Sequence, residues 1–369
     1  MELASRQYMQ AVVIREGRTF AIQDHPIPLI DDNDVLVRVV AVAQNPSDWK
    51  FIDSSQNVGT IVGCDWSGQV VQRGKNVEKP GLGEHVAGFA MGGTFVDSGA
   101  FAEYVKAPAE LVWTVPQGVL SHEQAATMNG GVCTAAQCLY HPQRLGLVEP
   151  PDRADGSEWV LIYGGSSSVG QYAIQLAHLS GYKVVTTASP HNFELVKSLG
   201  ADAVYDYNDP DVVATIKRAT GDSVRYAIDT QSTKDTQQLC ARAMGASGGK
   251  LILMFPPTFK AKKLRKDVEF IPTLVYTALG RPFVLGPQAQ YAAQPKDRAQ
   301  IASFLKKMAD LVRDGLVVPN RIKFWEGGMQ AIPEGLQYMR DEDGSPSSDA
   351  GGLIHAQRAS YASGARLDV

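Results

Sequence analysis

Four cysteines in 369 residues, scattered as Cys64, Cys133, Cys138 and Cys240, form no C-x-x-C pair. They are too few and too dispersed for a disulfide framework or a zinc ribbon. Cys133 and Cys138 lie five apart on a helical-looking segment and could approach one another; buried thiols acting as small apolar groups are the plainer reading. No set of His, Cys, Asp and Glu falls at metal-ligand spacing, so no metal is expected. His85, His122, His141, His178 and His355 have no partners at triad or metal spacing either and read as structural. Apolar runs stay below the roughly 18 residues that span a bilayer. Basic residues are not in excess: the formal net charge of -4 argues against nucleic acid as the main partner. Met1-Glu-Leu-Ala-Ser-Arg6 lacks the apolar core of a secretory signal, and a cytoplasmic protein is expected. What remains, 44% hydrophobic and 20% charged residues, is the composition of a soluble globular chain long enough for two domains.

The most informative stretch is Trp159-Val-Leu-Ile-Tyr-Gly-Gly-Ser-Ser-Ser-Val-Gly170, leading into Gln171-Tyr-Ala-Ile-Gln-Leu-Ala-His-Leu179. Val160 to Tyr163 reads as a strand buried on both faces of a parallel sheet. Val169, Ala173, Leu176 and Ala177 recur at helical spacing, so the turn between them opens an amphipathic helix. Strand, glycine-rich turn and helix start together present unpaired N–H groups and a positive helix end to a pyrophosphate. Gly164 permits the tight turn, Gly165 and Ser166 leave room for phosphate, and Gly170 lets the helix pack closely on the sheet. The spacing, Gly164-x-x-Ser167-x-x-Gly170, departs from G-x-G-x-x-G, so its context rather than its letters carries the expectation of a nucleotide site.

Upstream, residues 8–125 read as antiparallel β structure, with Ala11-Val-Val-Ile14 and an alternating Asp34-Val-Leu-Val-Arg-Val-Val-Ala-Val42 as strands. Asn45-Pro-Ser-Asp-Trp-Lys50 is a polar turn. Segments 61–71, 81–88 and 99–105 continue a strand-and-turn pattern that suggests a small barrel-like fold. Ser121-His-Glu-Gln124 fits a capping box. Beyond Leu179, strands at 183–188, 203–205, 225–229 and 249–255 alternate with helices at 192–199, 211–220 and 236–244. With 160–163 they make five strands of a doubly wound parallel sheet. Residues 256–297 resist assignment. Asp297 to Gly315 is an amphipathic helix expected to rejoin the first domain; Asp341 to Gly352 is a surface loop, and the tail after Ala356 is expected to fray.

Asn45-Pro-Ser-Asp48, Gly63-Cys-Asp-Trp-Ser-Gly68, Gly81-x-Gly-Glu-His-Val86 and the 160–170 turn occur in the order seen in medium-chain dehydrogenases/reductases. Over nearly its whole length the chain resembles their zinc-free quinone oxidoreductase and enoyl reductase branch. Tyr163-Gly-Gly-Ser-Ser-Ser-Val-Gly170, Ala188-Ser-Pro-His-Asn-Phe193 and Phe324-Trp-Glu-Gly-Gly328 further resemble the fungal trans-acting enoyl reductases of highly reducing polyketide synthases. The resemblance implies an α/β fold: a GroES-like β-barrel catalytic domain (1–127 and 300–369) plus a Rossmann doubly wound parallel sheet (128–299), with 256–299 lining the substrate. It implies NADPH-dependent reduction of an α,β-unsaturated polyketide thioester by hydride transfer to the β-carbon. A polyketide synthase and its acyl carrier domain are the implied partners, in secondary metabolism. A monomer is also implied, since trans-acting relatives tend to be monomers, whereas quinone reductases dimerise through the edge of the fifth strand, here Leu251 to Phe255. Zinc-dependent relatives carry a ligand cysteine near Pro46, a His-Glu pair near Cys64-Asp65 and a four-cysteine lobe; none stands here, so alcohol oxidation at zinc is not expected. A quinone or enone reductase on free small molecules, and a catalytically idle NADPH-binding sensor, stay open as alternatives.

The second strand ends at Thr187-Ala-Ser-Pro-His-Asn192, without the carboxylate that binds an NAD ribose. Ser189, His191 and Asn192 offer hydrogen-bonding groups that do not repel a 2′-phosphate, although Asn192 is equally a good helix N-cap. NADPH is therefore expected over NADH. By the resemblance, Ser189 to Asn192 and Tyr207 surround the 2′-phosphate, and Gly165, Ser166, Ser167, Ser168 and Val169 hold the pyrophosphate. Pro46, Ser47, Asp48 and Lys50 approach from the first domain, and Leu253, Met254, Leu353 and Ile354 complete the cofactor site. Gly351-Gly-Leu-Ile354 is less basic than its counterparts in relatives. The catalytic candidates are Asn45, Asp48 and Lys50. The Lys50 ammonium would bind a cofactor phosphate or ribose or stabilise the enolate, with Asp48 orienting it; a plain solvated turn is the alternative. An ordinary lysine pKa of about 10.4 makes Lys50 a poor acid, no tyrosine lies between 51 and 64, and water is left as the proton source. Gly130, Gly131, Val132 and Thr134 match a segment that contacts substrate and nicotinamide in relatives, or else pack as small residues in a helix. Tyr276, Gly280 and Phe283 would line an acyl tunnel. Lys260, Lys262, Lys263, Arg265 and Lys266 form a basic cluster, either a docking site for an acidic carrier or its phosphopantetheine or a solvated face.

Overall fold

The computed structural model describes residues 6–54, 57–286, 289–342 and 354–358. The chain divides into two compact units, one of Met1–Gly130, Arg281–Ala293 and Arg321–Val369, the other of Gly131–Gly280 and Gln294–Asn320. No described helix is long and apolar enough to cross a membrane, and all four cysteines are buried thiols outside any disulfide.

In the first unit, Tyr8–Arg15 and Thr19–Pro26 pair as an antiparallel hairpin. A seven-stranded sheet runs in the order Ile322–Phe324, Ile354–Arg358, Asp34–Gln44, Asp65–Arg73, His85–Phe89 and Val112–Thr114, with Tyr104–Pro108 also paired to Asp34–Gln44. The alternation expected of Asp34–Gln44 does not produce a solvent face, because both of its faces are covered. Val35, Val37 and Val39 join an apolar cluster with Trp66 and Phe101; Leu36 joins a second with Met9, Val13 and Ile61. Burial of about 1.5–3 kcal/mol per aliphatic side chain on both faces makes this strand the spine of the unit. The capping box at Ser121 forms as expected, with Gln124 N donating to Ser121 Oγ at 3.2 Å and Ser121 N to Gln124 Oε1 at 2.9 Å. The polar turn expected at 45–50 is instead the start of a helix, Pro46–Ser54, with proline in the first-turn position where a missing N–H costs nothing.

In the second unit, six parallel strands lie in the order Ala203–Asp206, Lys183–Ala188, Trp159–Tyr163, Tyr226–Asp229, Gly249–Leu253 and Val268–Pro272. In chain order this is 3-2-1-4-5-6, the doubly wound arrangement that opens a crevice where strands one and four diverge. The sixth strand lies inside the stretch that sequence left unassigned. It pairs Gly249 with Val268 through to Leu253 with Pro272, so of the edge Leu251 to Phe255 the part up to Leu253 is covered. The helix Pro295–Arg313 falls in the second unit rather than the first. Its buried Asp297 accepts from Gln137 Nε2 at 3.2 Å and pairs with His141 Nε2 at 3.1 Å, and it also accepts from the Thr277 hydroxyl. A buried carboxylate requires such partners, and the second unit supplies them alongside the buried apolar face of the helix.

Candidate functional site

The strand Trp159–Tyr163 delivers the chain to Gly164, whose φ of 76° only glycine adopts freely. A β-carbon on Gly165 would stand 2.1 Å from Thr186 Oγ1, so this glycine lets the turn close on the neighbouring strand rather than clearing space for phosphate. A β-carbon on Gly170 would stand 2.2 Å from the Gly164 carbonyl oxygen; the helix therefore seats against the turn itself. Ser167 caps the helix Ser168–Leu179: its Oγ accepts from Gly170 N at 3.0 Å and donates to Thr230 Oγ1 at 2.9 Å. Ser168 Oγ accepts from Asn320 Nδ2 at 2.9 Å. Two of the three serine hydroxyls are thus engaged by the scaffold, and the turn offers a ligand mainly backbone. The N–H groups of Ser166, Ser168 and Val169 have no partner among the described residues and sit at the positive end of a 12-residue helix. That cradle fits a dinucleotide diphosphate.

Sequence reasoning missed Thr230 and Asn320, and it missed Asp229. The Asp229 carboxylate accepts from Gln231 N (3.1 Å), Ser232 N (2.8 Å) and Thr236 Oγ1 (2.7 Å), and burial pushes it up to about 6. Ser232 Oγ in turn accepts from Met254 N at 2.7 Å, fixing the exit of the fifth strand. An aspartate closing an apolar strand at the switch point was the available signal. Leu253 is fully buried and Met254 is half-buried.

At the end of Lys183–Ala188, Ser189 Oγ lies 2.9 Å from the Tyr207 hydroxyl, and Asn192 Nδ2 lies 3.1 Å from His191 Nε2. The four residues expected around a 2′-phosphate are thus brought into two hydrogen-bonded pairs. Asn192 precedes the helix Phe193–Ser198 without a side-chain capping bond, so its amide belongs to the polar cluster and not to a cap.

In the first unit, Asp48 Oδ2 accepts from Asn45 N at 2.7 Å, the N3-to-N-cap half of a capping box. Asn45 Nδ2 donates to Asp65 Oδ2 at 3.0 Å, and Asp65 Oδ1 accepts from Gly130 N at 2.7 Å. Asp48 and Asp65 are 1% and 2% exposed, and burial pushes both carboxyls up to about 7; the neighbouring Asp65 charge adds to the rise at Asp48. Asp48, expected to orient Lys50, is therefore turned inward to cap the helix. Ser47 Oγ lies 3.9 Å from the Cys64 sulfur, and the Lys50 ammonium sits 5.1 Å from the centre of the Trp49 ring. Asp65, the residue that grips Asn45, escaped the sequence reading because nothing in Gly63-Cys-Asp-Trp marks its partner.

Gly130 and Gly131 have separate tasks: one gives its N–H to Asp65, and the other has no room for a β-carbon, which would stand 2.7 Å from Ser168 Oγ. Val132 is fully buried, Thr134 and Tyr276 are buried, and Gly280 ends its short helical turn at a φ of 69°. Phe283 lies in the first unit, stacked on Tyr291 with ring centres 4.8 Å apart, so the segment 256–299 is shared between the units. Ile354 opens a strand paired with Ile322; Leu353 and most of the loop after Asp341 lie outside the described residues. Two of the histidines read as structural share a partner: His85 Nε2 and His122 Nδ1 approach Ser67 Oγ at 2.8 and 3.0 Å, and burial lowers His85 to about 4. Among the described residues no three His, Cys, Asp or Glu side chains gather as a metal site.

Residues 31–117 match the alcohol dehydrogenase GroES-like domain, and residues 168–256 match the zinc-binding dehydrogenase domain. The chain is 40% identical over 340 residues to a zinc-type alcohol dehydrogenase-like protein of Schizosaccharomyces pombe, covering 88% of this chain and 94% of that one. It is 37% identical over 339 residues to the trans-enoyl reductase ACTTS2 of Alternaria alternata, covering 90% and 95%. Among solved structures it is similar to a mycobacterial protein complexed with NADPH, at a TM-score of 0.70, 20% identity and 95% and 99% coverage. The GroES-like domain and the Rossmann sheet implied by the sequence are both present.

Proposed function

The chain belongs to the medium-chain dehydrogenase/reductase family of oxidoreductases, in the group of trans-enoyl reductases, and we propose that it reduces the α,β-unsaturated thioester of a growing polyketide with NADPH, in secondary metabolism. The substrate is tethered to the acyl carrier domain of a polyketide synthase, on which the enzyme acts in trans. One observation carries the reading: a helix start with three open N–H groups beside a second strand that ends without a carboxylate.

Bound dihydronicotinamide supplies the hydride that reaches the β-carbon. The chain supplies position and charge. The N–H groups of Ser166, Ser168 and Val169 hold the diphosphate, with Gly165 and Ser167 shaping the turn. Ser189, His191, Asn192 and Tyr207 take the 2′-phosphate, which an aspartate at this point would repel. Leu253 and Met254 would flank the nicotinamide, and Pro46 and Ser47 are assigned to the same cofactor; Leu353 lies outside the described residues. Lys50 places a cation for the enolate oxygen or the cofactor ribose. Asn45 is held for contact with the reacting groups by Asp65, while Asp48 keeps its loop in helical register. Gly130, Gly131, Val132, Thr134, Tyr276, Gly280 and Phe283 shape the acyl path. The α-carbon takes its proton from water.

The purified protein is expected to oxidise NADPH on addition of crotonyl pantetheine thioester and to yield the saturated thioester. NADH should be poorer by about tenfold, the equivalent of roughly 1.4 kcal/mol. A thioester left unreduced even with the partner synthase present would sink the proposal, and turnover of free quinones alone would replace it with a quinone reductase.

A further inference from the structure

The segment beyond the fifth strand was the least readable part of the sequence, and its surface differs from the rest of a chain whose net charge is -4. Thr258 caps a short helix, Phe259–Leu264, whose Ala261 is buried. Lys260, Lys262, Lys263 and Lys266 all face solvent, and none pairs with a carboxylate among the described residues. Arg265, grouped with them by sequence, is different. Its guanidinium donates to the carbonyls of Ala241, Met244 and Gly245 at 2.7–3.1 Å and pairs with Asp267 at 2.6 Å. It anchors the segment to the end of the helix Lys234–Ala243. Gln237 fixes the other end, donating to Pro256 O at 3.2 Å and accepting from Thr258 N at 2.8 Å. Two exposed aromatics precede the lysines, Phe255 at 54% and Phe259 at 79%. Exposed rings next to these lysines on a firmly mounted segment supply both kinds of contact that an acidic partner with apolar residues would use.

We propose that Lys260, Lys262, Lys263 and Lys266, with Phe255 and Phe259, form the docking face for an acidic acyl carrier domain. The lysines pair with its carboxylates and with the phosphodiester of its pantetheine arm, and the phenylalanines anchor against its apolar residues. Phe255 follows directly on Met254 at the carboxyl edge of the sheet, where a Rossmann fold opens its ligand crevice, whereas Asp267 O accepts from Gly249 N at the start of the fifth strand; the face thus runs from one edge of the sheet to the other, and its Phe255 end is the one from which a carrier's arm would enter. This rests on the carrier-bound substrate proposed above.

The test compares wild type with a charge-reversed variant (Lys260→Glu, Lys262→Glu, Lys263→Glu and Lys266→Glu together) and with Phe255→Ala/Phe259→Ala. Each is titrated with a free-standing, acidic holo acyl carrier protein, and each is assayed on the crotonyl group carried either by that protein or by N-acetylcysteamine. Charge reversal should weaken carrier binding at least about tenfold and raise KM for the carrier-borne substrate in parallel, while kcat/KM on the small thioester stays within about twofold; the aromatic pair should weaken binding less. Added salt should weaken wild-type binding and leave the reversed variant's nearly unchanged. Carrier binding untouched by both variants overturns the proposal. So does a rise in KM for NADPH, which would assign the lysines to the dinucleotide, or lysine-dependent sedimentation with phosphatidylserine vesicles in place of carrier binding. If wild type binds the carrier through these residues but reduces neither thioester, the docking face stands and the reductase reading fails.

Discussion

Two helix starts, at Ser167 in one unit and Asn45 in the other, solve the same local problem in opposite ways. Ser167 is a neutral cap: it satisfies Gly170 N and leaves the N–H groups of Ser166, Ser168 and Val169 open. At Asn45 the cap is acidic: Asp48 takes the Asn45 N–H, and Asp65 holds the Asn45 side chain. A neutral cap leaves the helix's positive end available to an anion from outside, whereas a carboxylate in the first turn neutralises it from within. The first arrangement is thus suited to the phosphate proposed above, held through backbone. The second has to present side chains, Asn45 and Lys50, on a frame of buried acids.

Gly170→Ala breaks the first side of this contrast most severely. Its methyl group would be driven against a backbone oxygen, which has nowhere to move. We expect a stability loss of about 1–3 kcal/mol from overpacking, and loss of NADPH binding by at least about tenfold. Denaturant unfolding and NADPH fluorescence titration measure the two, and an unchanged affinity would mean the diphosphate lies elsewhere.

Asp65→Asn tests the other side. The amide can accept from only one of its two donors, Gly130 N or Asn45 Nδ2, and opposes the other with an N–H of its own. A loss of about 1–3 kcal/mol follows for the unpaired buried donor. kcat should fall while the Kd for NADPH moves little. Equal losses in both would merge the two sites into one.

The same variant carries a pH signature. The Asp48 and Asp65 carboxyls are pushed up to about 7 in the folded protein, against 3.8 for an ordinary aspartate. Between those values the folded chain keeps protons that the unfolded chain has released. Their burial is thus free of penalty below about 4, costs progressively more as pH rises, and reaches a constant cost above about 7. His85, lowered to about 4, acts with the opposite sign in the same window, so the readable quantity is the difference between variant and wild type. Unfolding free energy should rise more steeply with pH from 4 to 7 in Asp65→Asn than in wild type, measured by urea unfolding across that range. A steeper rise in wild type would mean that Asp65 is not held protonated.

Tyr207→Phe is the mildest probe. It removes one hydroxyl 2.9 Å from Ser189 Oγ, a net contribution of about 0.5–1.5 kcal/mol. KM for NADPH should rise severalfold while KM for NADH is unmoved; a matching change for NADH would take Tyr207 away from the 2′-phosphate.

The turn at 164–170 could be read in advance because its parts are neighbours in the chain. The apolar run, the left-handed Gly164 and the start of the helix all act within about two turns of helix, where sequence spacing is spatial spacing. The same holds for the capping box at Ser121. The cap at Ser167 is equally local and absent from the sequence reading. The Asp48 cap is local too, but a polar stretch with proline and asparagine fits a turn as well as a helix start. Asp65, Thr230 and Asn320 were out of reach for a different reason: each meets its partner across 20 to 152 positions, from Asn45 to Asp65 and from Ser168 to Asn320.

By itself the sequence determined most of the alternating strands and helices of the second unit and where backbone could meet an anion, because propensity, capping and glycine geometry act over a few residues; the helix Pro46–Ser54 and the sixth strand Val268–Pro272 were not among them. It also carried the absence of a carboxylate after the second strand, which is a matter of composition at one place. Only the tertiary structure decided that Asp48 and Asp65 are buried, that Arg265 is an anchor while its four lysine neighbours are not, that a sixth strand covers the fifth, and that the helix Pro295–Arg313 joins the second unit. Those facts depend on desolvation and on partners brought together from distant parts of the chain, and neither exists until the chain has folded.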